Sequence, residues 1–249
     1  MLTRYLCRRL RTVAIIRVAR CRWFVAVWLF SLALVDTGAQ AQGLTLKLDE
    51  LLAADPSELA KLLEYARPSP LSAAVKAQIL DGLPQNGEIT DLDQGSQKKI
   101  LALNPVLRAA KRESVYVIKV ISVPQAAVGF HARTVVLVSY PALKLLAPDE
   151  LQSVVAHEIG HEYVWAEYER ASRLEDHGAL QELELVCDVI AILTLRAIGQ
   201  DGSALLTGLE KMIRFNREQF GTALHEGNYP TLARRRAVSQ AVEAGRSAR

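Results

Sequence analysis

The feature that most constrains this chain is His157-Glu158-Ile159-Gly160-His161, which follows the apolar run Val154-Val155-Ala156. A spacing of four on a helix stacks two imidazoles on one face, where each can offer a nitrogen to the same ion. Such neighbours make the helix a buried one, and two buried histidines need partners. Glu158 is rotated about 100° from His157, near enough to reach a water on the ion without ligating it. Zinc, without redox chemistry and content with nitrogen and oxygen donors, is the natural occupant, one per chain. It lowers the pKa of its water from about 16 to about 7, leaving Glu158 a single proton to accept before attack on a peptide carbonyl. The plain alternative, a solvated face with two satisfied histidines, runs against the apolar surroundings.

A catalytic zinc takes three protein ligands. The pattern HExxHxxGxxH would need glycine and histidine where Val164 and Glu167 stand, so that class is excluded. Downstream, Leu180–Ile198 reads as a helix apolar nearly all round, yet it carries Glu182, Glu184 and Asp188. Glu184 and Asp188 lie four apart on one face. Glu182 points about 200° from Glu184 and reads as a solvated or capping acid. A helix returning antiparallel to the first would bring Glu184 to the metal and Asp188 to a ligating imidazole as its acceptor. His177 is the rival third ligand, but Asp176-His177-Gly178 reads as a turn.

Hydrolysis also benefits from a donor that holds the developing oxyanion, and Tyr229, His225 and Arg235 are the candidates. Each has a plain reading as well: a turn with Pro230, a surface loop, and a solvated face at Arg234-Arg235-Arg236. His131 reads as a loop histidine. Cys187 lies in an apolar run and reads as a small buried hydrophobe rather than a nucleophile.

The rest of the chain suggests an α+β fold, mostly helical, with a small β-sheet preceding the HExxH helix. Residues 42–112 read as an N-terminal helical layer, with helices over 48–66, 71–83 and 94–111. Asp55-Pro56 marks a helix start or break in the first, and Asn104-Pro105 disturbs the last. Val115–Ile121 and Thr134–Ser139 are β-branched runs of strand length, separated by a connection over 124–133. Pro148-Asp149-Glu150 then opens the HExxH helix, expected to run from 149 to 168, within a core over 113–249.

His157-Glu158-Ile159-Gly160-His161 followed by Glu184-Leu185-Val186-Cys187-Asp188 resembles the paired HExxH and ExxxD motifs of the zinc metallopeptidase family that includes HtpX and the type I CAAX prenyl endopeptidases. The likeness runs from about Val115 to Ala244. It takes in Tyr229-Pro230-Thr231-Leu232-Ala233-Arg234-Arg235, similar to the family's His-Pro-Ser-x-x-x-Arg stretch. It implies a zincin-like gluzincin fold with His157, His161 and Glu184 on zinc, Glu158 as base and Asp188 in support. It also implies that Thr134–Ser139 is the edge strand on which an extended peptide adds as a further strand. Two departures stand out. Tyr229 replaces the usual histidine, and the multi-pass membrane helices of those relatives are absent, which points to the small exported members.

Charge is unevenly spread. Residues 1–41 hold seven arginines against one acid, which leaves 23 basic and 26 acidic side chains in the remainder. A mildly acidic body argues against nucleic-acid binding. Trp23–Val35 is an uncharged stretch of 13 residues, about 20 Å as a helix, short of a hydrocarbon core of roughly 30 Å. With its basic head and the Ala39-Gln40-Ala41 exit, it reads as a signal peptide cleaved after Ala41. An uncleaved anchor to the inner membrane is the alternative. Cys7 and Cys21 lie in this leader, so the remainder keeps one thiol and no intramolecular disulfide.

The expectation is therefore a periplasmic or secreted zinc endopeptidase whose partner is extended or unfolded polypeptide. The alternative function is a zinc-stabilised binding or chaperone-like protein with little or no proteolysis.

Overall fold

The computed structural model of the chain describes residues 45–83, 87–221 and 227–247. The leader and His225 fall outside them. Among the described residues no helix is long and apolar enough to cross a membrane.

Asp55-Pro56 separates two helices, α1 (Leu48–Ala53) and α2 (Pro56–Ala66). The Asp55 carboxylate accepts from the amides of Ser57 and Glu58 at 2.8 and 2.9 Å, while Glu58 reaches back to the Asp55 amide at 3.1 Å. This reciprocal cap satisfies donors a new helix would leave unpaired. After α3 (Ala73–Asp81), the helix expected over 94–111 divides into α4 (Gln94–Leu101) and α5 (Asn104–Ala109). Pro105 lacks the amide that would bond to the carbonyl of Leu101, so the chain ends one helix and restarts another.

Three strands follow: β1 (Val117–Ile121), β2 (Val128–His131) and β3 (Val135–Ser139). Their order is β1-β3-β2, with β1 parallel and β2 antiparallel to β3. This corrects two expectations. The connection over 124–133 contains a strand, with His131 its last residue. The run 134–139 is the centre of the sheet and not its edge. Val135, Val136 and Val138 are fully buried, as a strand covered on both sides requires. The reversal into β3 carries no glycine signal, because it uses Ala132 and Arg133, at φ 45° and 57°. Outside β1, residues 87–89 cover the edge through Ile89 N–H to Val120 O at 2.8 Å and Ser122 N–H to Gly87 O at 2.6 Å. Among the described residues, the edge left without a further strand is therefore that of β2. Ala127 O accepts from Ser139 N–H at 2.9 Å. By antiparallel alternation, Gly129 and His131 also face β3, while Val128 and Phe130 turn their backbone groups outward.

The remaining elements are α6 (Tyr140–Leu145), α7 (Pro148–Tyr163), α8 (Trp165–Arg173), α9 (His177–Ala197), α10 (Ser203–Phe220) and α11 (Leu232–Ser247). The helix expected over 149–168 breaks at Val164, with φ −116° and ψ 17°. One apolar cluster joins the sheet to α7 through Phe130, Val136, Val138, Leu151, Val155 and Ile159. A second packs Leu46, Leu51 and Leu59 of the N-terminal layer against Leu185, Val189 and Val238. Between the two lies the contact of α7 with α9. It is as close as it is because Gly160 has no side chain: a Cβ there would stand 2.9 Å from the Cα of Cys187.

Candidate metal centre

His157 and His161 lie one turn apart on α7 and extend toward α9, which runs past in the opposite direction. Glu184 of α9 enters between them. Its Oε2 is 3.2 Å from His157 Nε2, and its Oε1 is 3.5 Å from His161 Nε2. Four residues further along α9, Asp188 Oδ1 stands 2.9 Å from His157 Nδ1, the nitrogen on the far side of that ring. Donor atoms of His157, Glu158 and His161 lie within 4.8 Å of one another. Glu184 and His157 are almost wholly buried.

These side chains fit a metal ion. Two ring nitrogens and a carboxylate are the donor set of a gluzincin site. Bonds of about 2.0–2.1 Å in a tetrahedron place ligand atoms about 3.3–3.4 Å apart, and the separations here are 3.2 and 3.5 Å. Buried groups of this kind, gathered with no apolar purpose, call for a cation.

In the metal-free protein two of the three donors, Glu184 and His161, already carry the charge a ligand needs. Burial opposes ionisation of Glu184, but His161, His157 and Arg235 prevail and hold it down to about 2, so it is an anion at working pH. Burial lowers His161 to about 4, leaving its ring neutral with a lone pair to give. Burial also acts to lower His157, yet its contacts with Asp188 and Glu184 outweigh this and raise it to about 10. Glu158 is raised to about 8, chiefly by burial. It is half-buried, and among the described residues its carboxylate makes no hydrogen bond or ion pair.

Arg235 of α11 is buried, so the solvated-face reading fails for it. Its guanidinium bonds Asp188 through one nitrogen and Glu184 Oε2 through the other, at 3.0 Å. Arg234 and Arg236 do sit at the surface, paired with Glu182 and Glu210. Tyr229, with a relative exposure of 39%, stands in the electrostatic field of Glu184, Glu158 and Arg235. His177 is not part of the site: it opens α9 at the surface, with Nδ1 2.6 Å from Asn228 Oδ1. Cys187 is buried behind Glu184, its thiol pushed up by burial.

Two groups were missed in the sequence. Tyr168 bonds Glu184 from α8 at 3.3 Å, and its spacing of seven from His161 was the available signal. Glu162, next to His161, is buried on Arg112 Nε at 2.8 Å and on the Tyr116 hydroxyl, with Arg133 at 3.5 Å. Its partners come from the α5–β1 and β2–β3 junctions, so no local pattern announces them.

A three-stranded sheet ahead of a helix bearing two imidazoles, met by an acid from a second helix, defines a zincin-like metallopeptidase. Residues 93–206 match the family model of peptidase family M48, a span that holds the sheet, α7 and α9. The matched part of the chain is similar to that family, which includes the HtpX and CAAX prenyl types, and the likeness supports metal-dependent action on polypeptides. No curated protein matches the chain.

Proposed function

We propose that the chain is a zinc endopeptidase that cleaves extended or unfolded polypeptide, with His157, His161 and Glu184 as ligands. The observation that carries this reading is the convergence of Glu184's two oxygens on the two imidazoles, at 3.2 and 3.5 Å.

When bound, zinc supplies Lewis acidity toward a carbonyl and acidifies its water. The protein's own groups do the rest. Asp188 and Glu184 fix the ring of His157 from both sides. Arg235 neutralises part of the negative charge that these two acids accumulate in a buried place. Glu158, which makes no hydrogen bond or ion pair among the described residues, would be ionised by the cation beside it, take the water's proton and pass it to the leaving amine. Tyr229 is the donor best placed for the oxyanion, because both guanidinium nitrogens of Arg235 that reach the centre are already engaged. Substrate lies along β2, where the outward backbone groups of Val128 and Phe130 accept an added strand. This edge recognises backbone, which suits segments already out of their folds. The basic head and Ala-x-Ala exit of the sequence support a role in the cell envelope.

The test is metal analysis of purified protein together with casein digestion, with and without chelator. Expected are one zinc per chain, digestion abolished by chelation, and a Glu158→Gln variant that keeps its zinc and loses activity by several orders of magnitude. A Glu158→Gln variant that digests casein as fast as the native enzyme refutes the assignment.

A further inference from the structure

Tyr168 belongs to the centre but to neither motif. Its amide donates to Val164 O at 2.8 Å, across the break where α7 ends. The first turn of α8 thereby carries the phenol back over the end of α7. There the ring stands edge-on to His161, with centroids 4.9 Å apart and planes at 85°. The hydroxyl donates to Glu184 Oε1 at 3.3 Å. Oε1 is the oxygen facing His161, and Oε2, facing His157, accepts from Arg235. Each oxygen thus has one neighbour on the imidazole side and one behind it. Arg235 is shared with Asp188, so Tyr168 is the outer partner given to Glu184 alone. It also touches two of the three donors, His161 by its ring and Glu184 by its hydroxyl.

We infer that Tyr168 is a positioning residue for the metal: its hydroxyl fixes the rotation of the Glu184 carboxylate against His161 and so sets how tightly the centre holds its ion. A carboxylate tethered at one oxygen only can turn about its last bond and spends part of its time with no donor aimed inward. Groups that orient metal ligands in this way change affinity by about 10–100-fold. The inference rests on Glu184 being a ligand, as proposed above.

Tyr168→Phe removes the hydroxyl and keeps the ring against His161. Zinc affinity is measured by competition with a chromophoric chelator, and the visible spectrum is recorded on protein fully loaded with cobalt(II). A metal-free melting curve confirms that the variant folds. The expected result is an affinity about 10-fold or more below native and an altered cobalt spectrum, because the carboxylate then meets the ion differently. Affinity within twofold of native overturns the inference. So does a weakened affinity with a superimposable spectrum, which assigns the residue to packing alone. Native protein that binds neither metal overturns the metal centre and this inference with it, whereas normal native binding with an unaffected variant sinks only the role of Tyr168. Tyr168→Leu, which loses the ring contact too, should bind more weakly still.

Discussion

Gly160 lies so close to Cys187 that a Cβ on the glycine would meet the cysteine's Cα at 2.9 Å and its Cβ at 3.0 Å. The glycine sits between the two motif histidines, so the tightest approach of α7 to α9 falls where Glu184 must reach both rings. Gly160→Ala would gain up to about 1 kcal/mol of helix propensity. Against this, backbone cannot yield as a flexible side chain does, and overpacking costs about 1–3 kcal/mol. We predict a lower melting temperature and, more tellingly, a loss of bound zinc, because moving α9 outward withdraws Glu184. A variant with native metal content would show that this contact does not set the ligand geometry.

Arg235 faces two buried carboxylates, and removing it leaves Glu184 and Asp188 underneutralised. Breaking buried ion pairs from one side costs about 3–5 kcal/mol. Zinc places positive charge against the same acids. Arg235→Met should therefore lose most stability when metal-free and regain part of it at saturating zinc. Melting curves of native and variant protein with and without zinc provide the check, and an unchanged gap between the two proteins contradicts it.

Glu162 makes the complementary case on the far side of α7. With Gln there, Arg112 and Arg133 keep their bonds to the carbonyls of Pro68 and Ser69, at 2.7 and 3.0 Å, but lose the anion beneath them. A cost of about 3–5 kcal/mol corresponds to a drop on the order of 10 °C in a chain of this size. The variant should still bind zinc with native stoichiometry, which separates this structural acid from Glu184.

The metal helix was legible because its signal is local: two histidines at helical spacing among apolar neighbours allow few readings. Glu184 and Asp188 were legible for a related reason, as acids on one face of a helix with no other polar purpose. The strand at 128–131 was not, since it is four residues long and enters a reversal made without glycine. Its omission moved the expected substrate edge from β2 to β3. Arg235 resembled its neighbours Arg234 and Arg236, and only the packing of α11 on α9 separates the buried one from the solvated two. Tyr168 offered only its spacing of seven from His161, and its bond to Glu184 comes from the packing of α8 beside α9, which no local pattern announces.

In the metal-free protein His157 holds its proton up to about pH 10, because Asp188 and Glu184 outweigh the burial that opposes it. A ligating imidazole must give up that proton. Zinc binding at pH 7 should then release at least one proton, and affinity should rise with pH through the neutral range. Calorimetry in buffers of different ionisation enthalpy counts the protons directly, and a count of zero contradicts the charge state of His157. The linked effect on stability has the opposite sense. With the folded pKa above the ordinary value of 6.5, this group stabilises the metal-free protein fully below that pH and ceases to do so as pH rises through about 10.

The open edge of β2 permits a test of substrate binding that leaves the centre untouched. Val128 turns its amide away from β3, so proline at this position removes no bond from the sheet, provided the strand accepts its narrower φ. What disappears is a donor that an added strand would use. One such hydrogen bond is worth about 0.5–1.5 kcal/mol, a roughly 2–10-fold rise in KM for an extended peptide. Zinc content and melting temperature should remain near native. Gly129→Pro provides the contrast, because its amide faces β3: that variant should lose stability as well as activity. Equal kinetic behaviour of Val128→Pro and native enzyme on extended substrates, with both proteins folded and zinc-loaded, would place the polypeptide somewhere other than this edge.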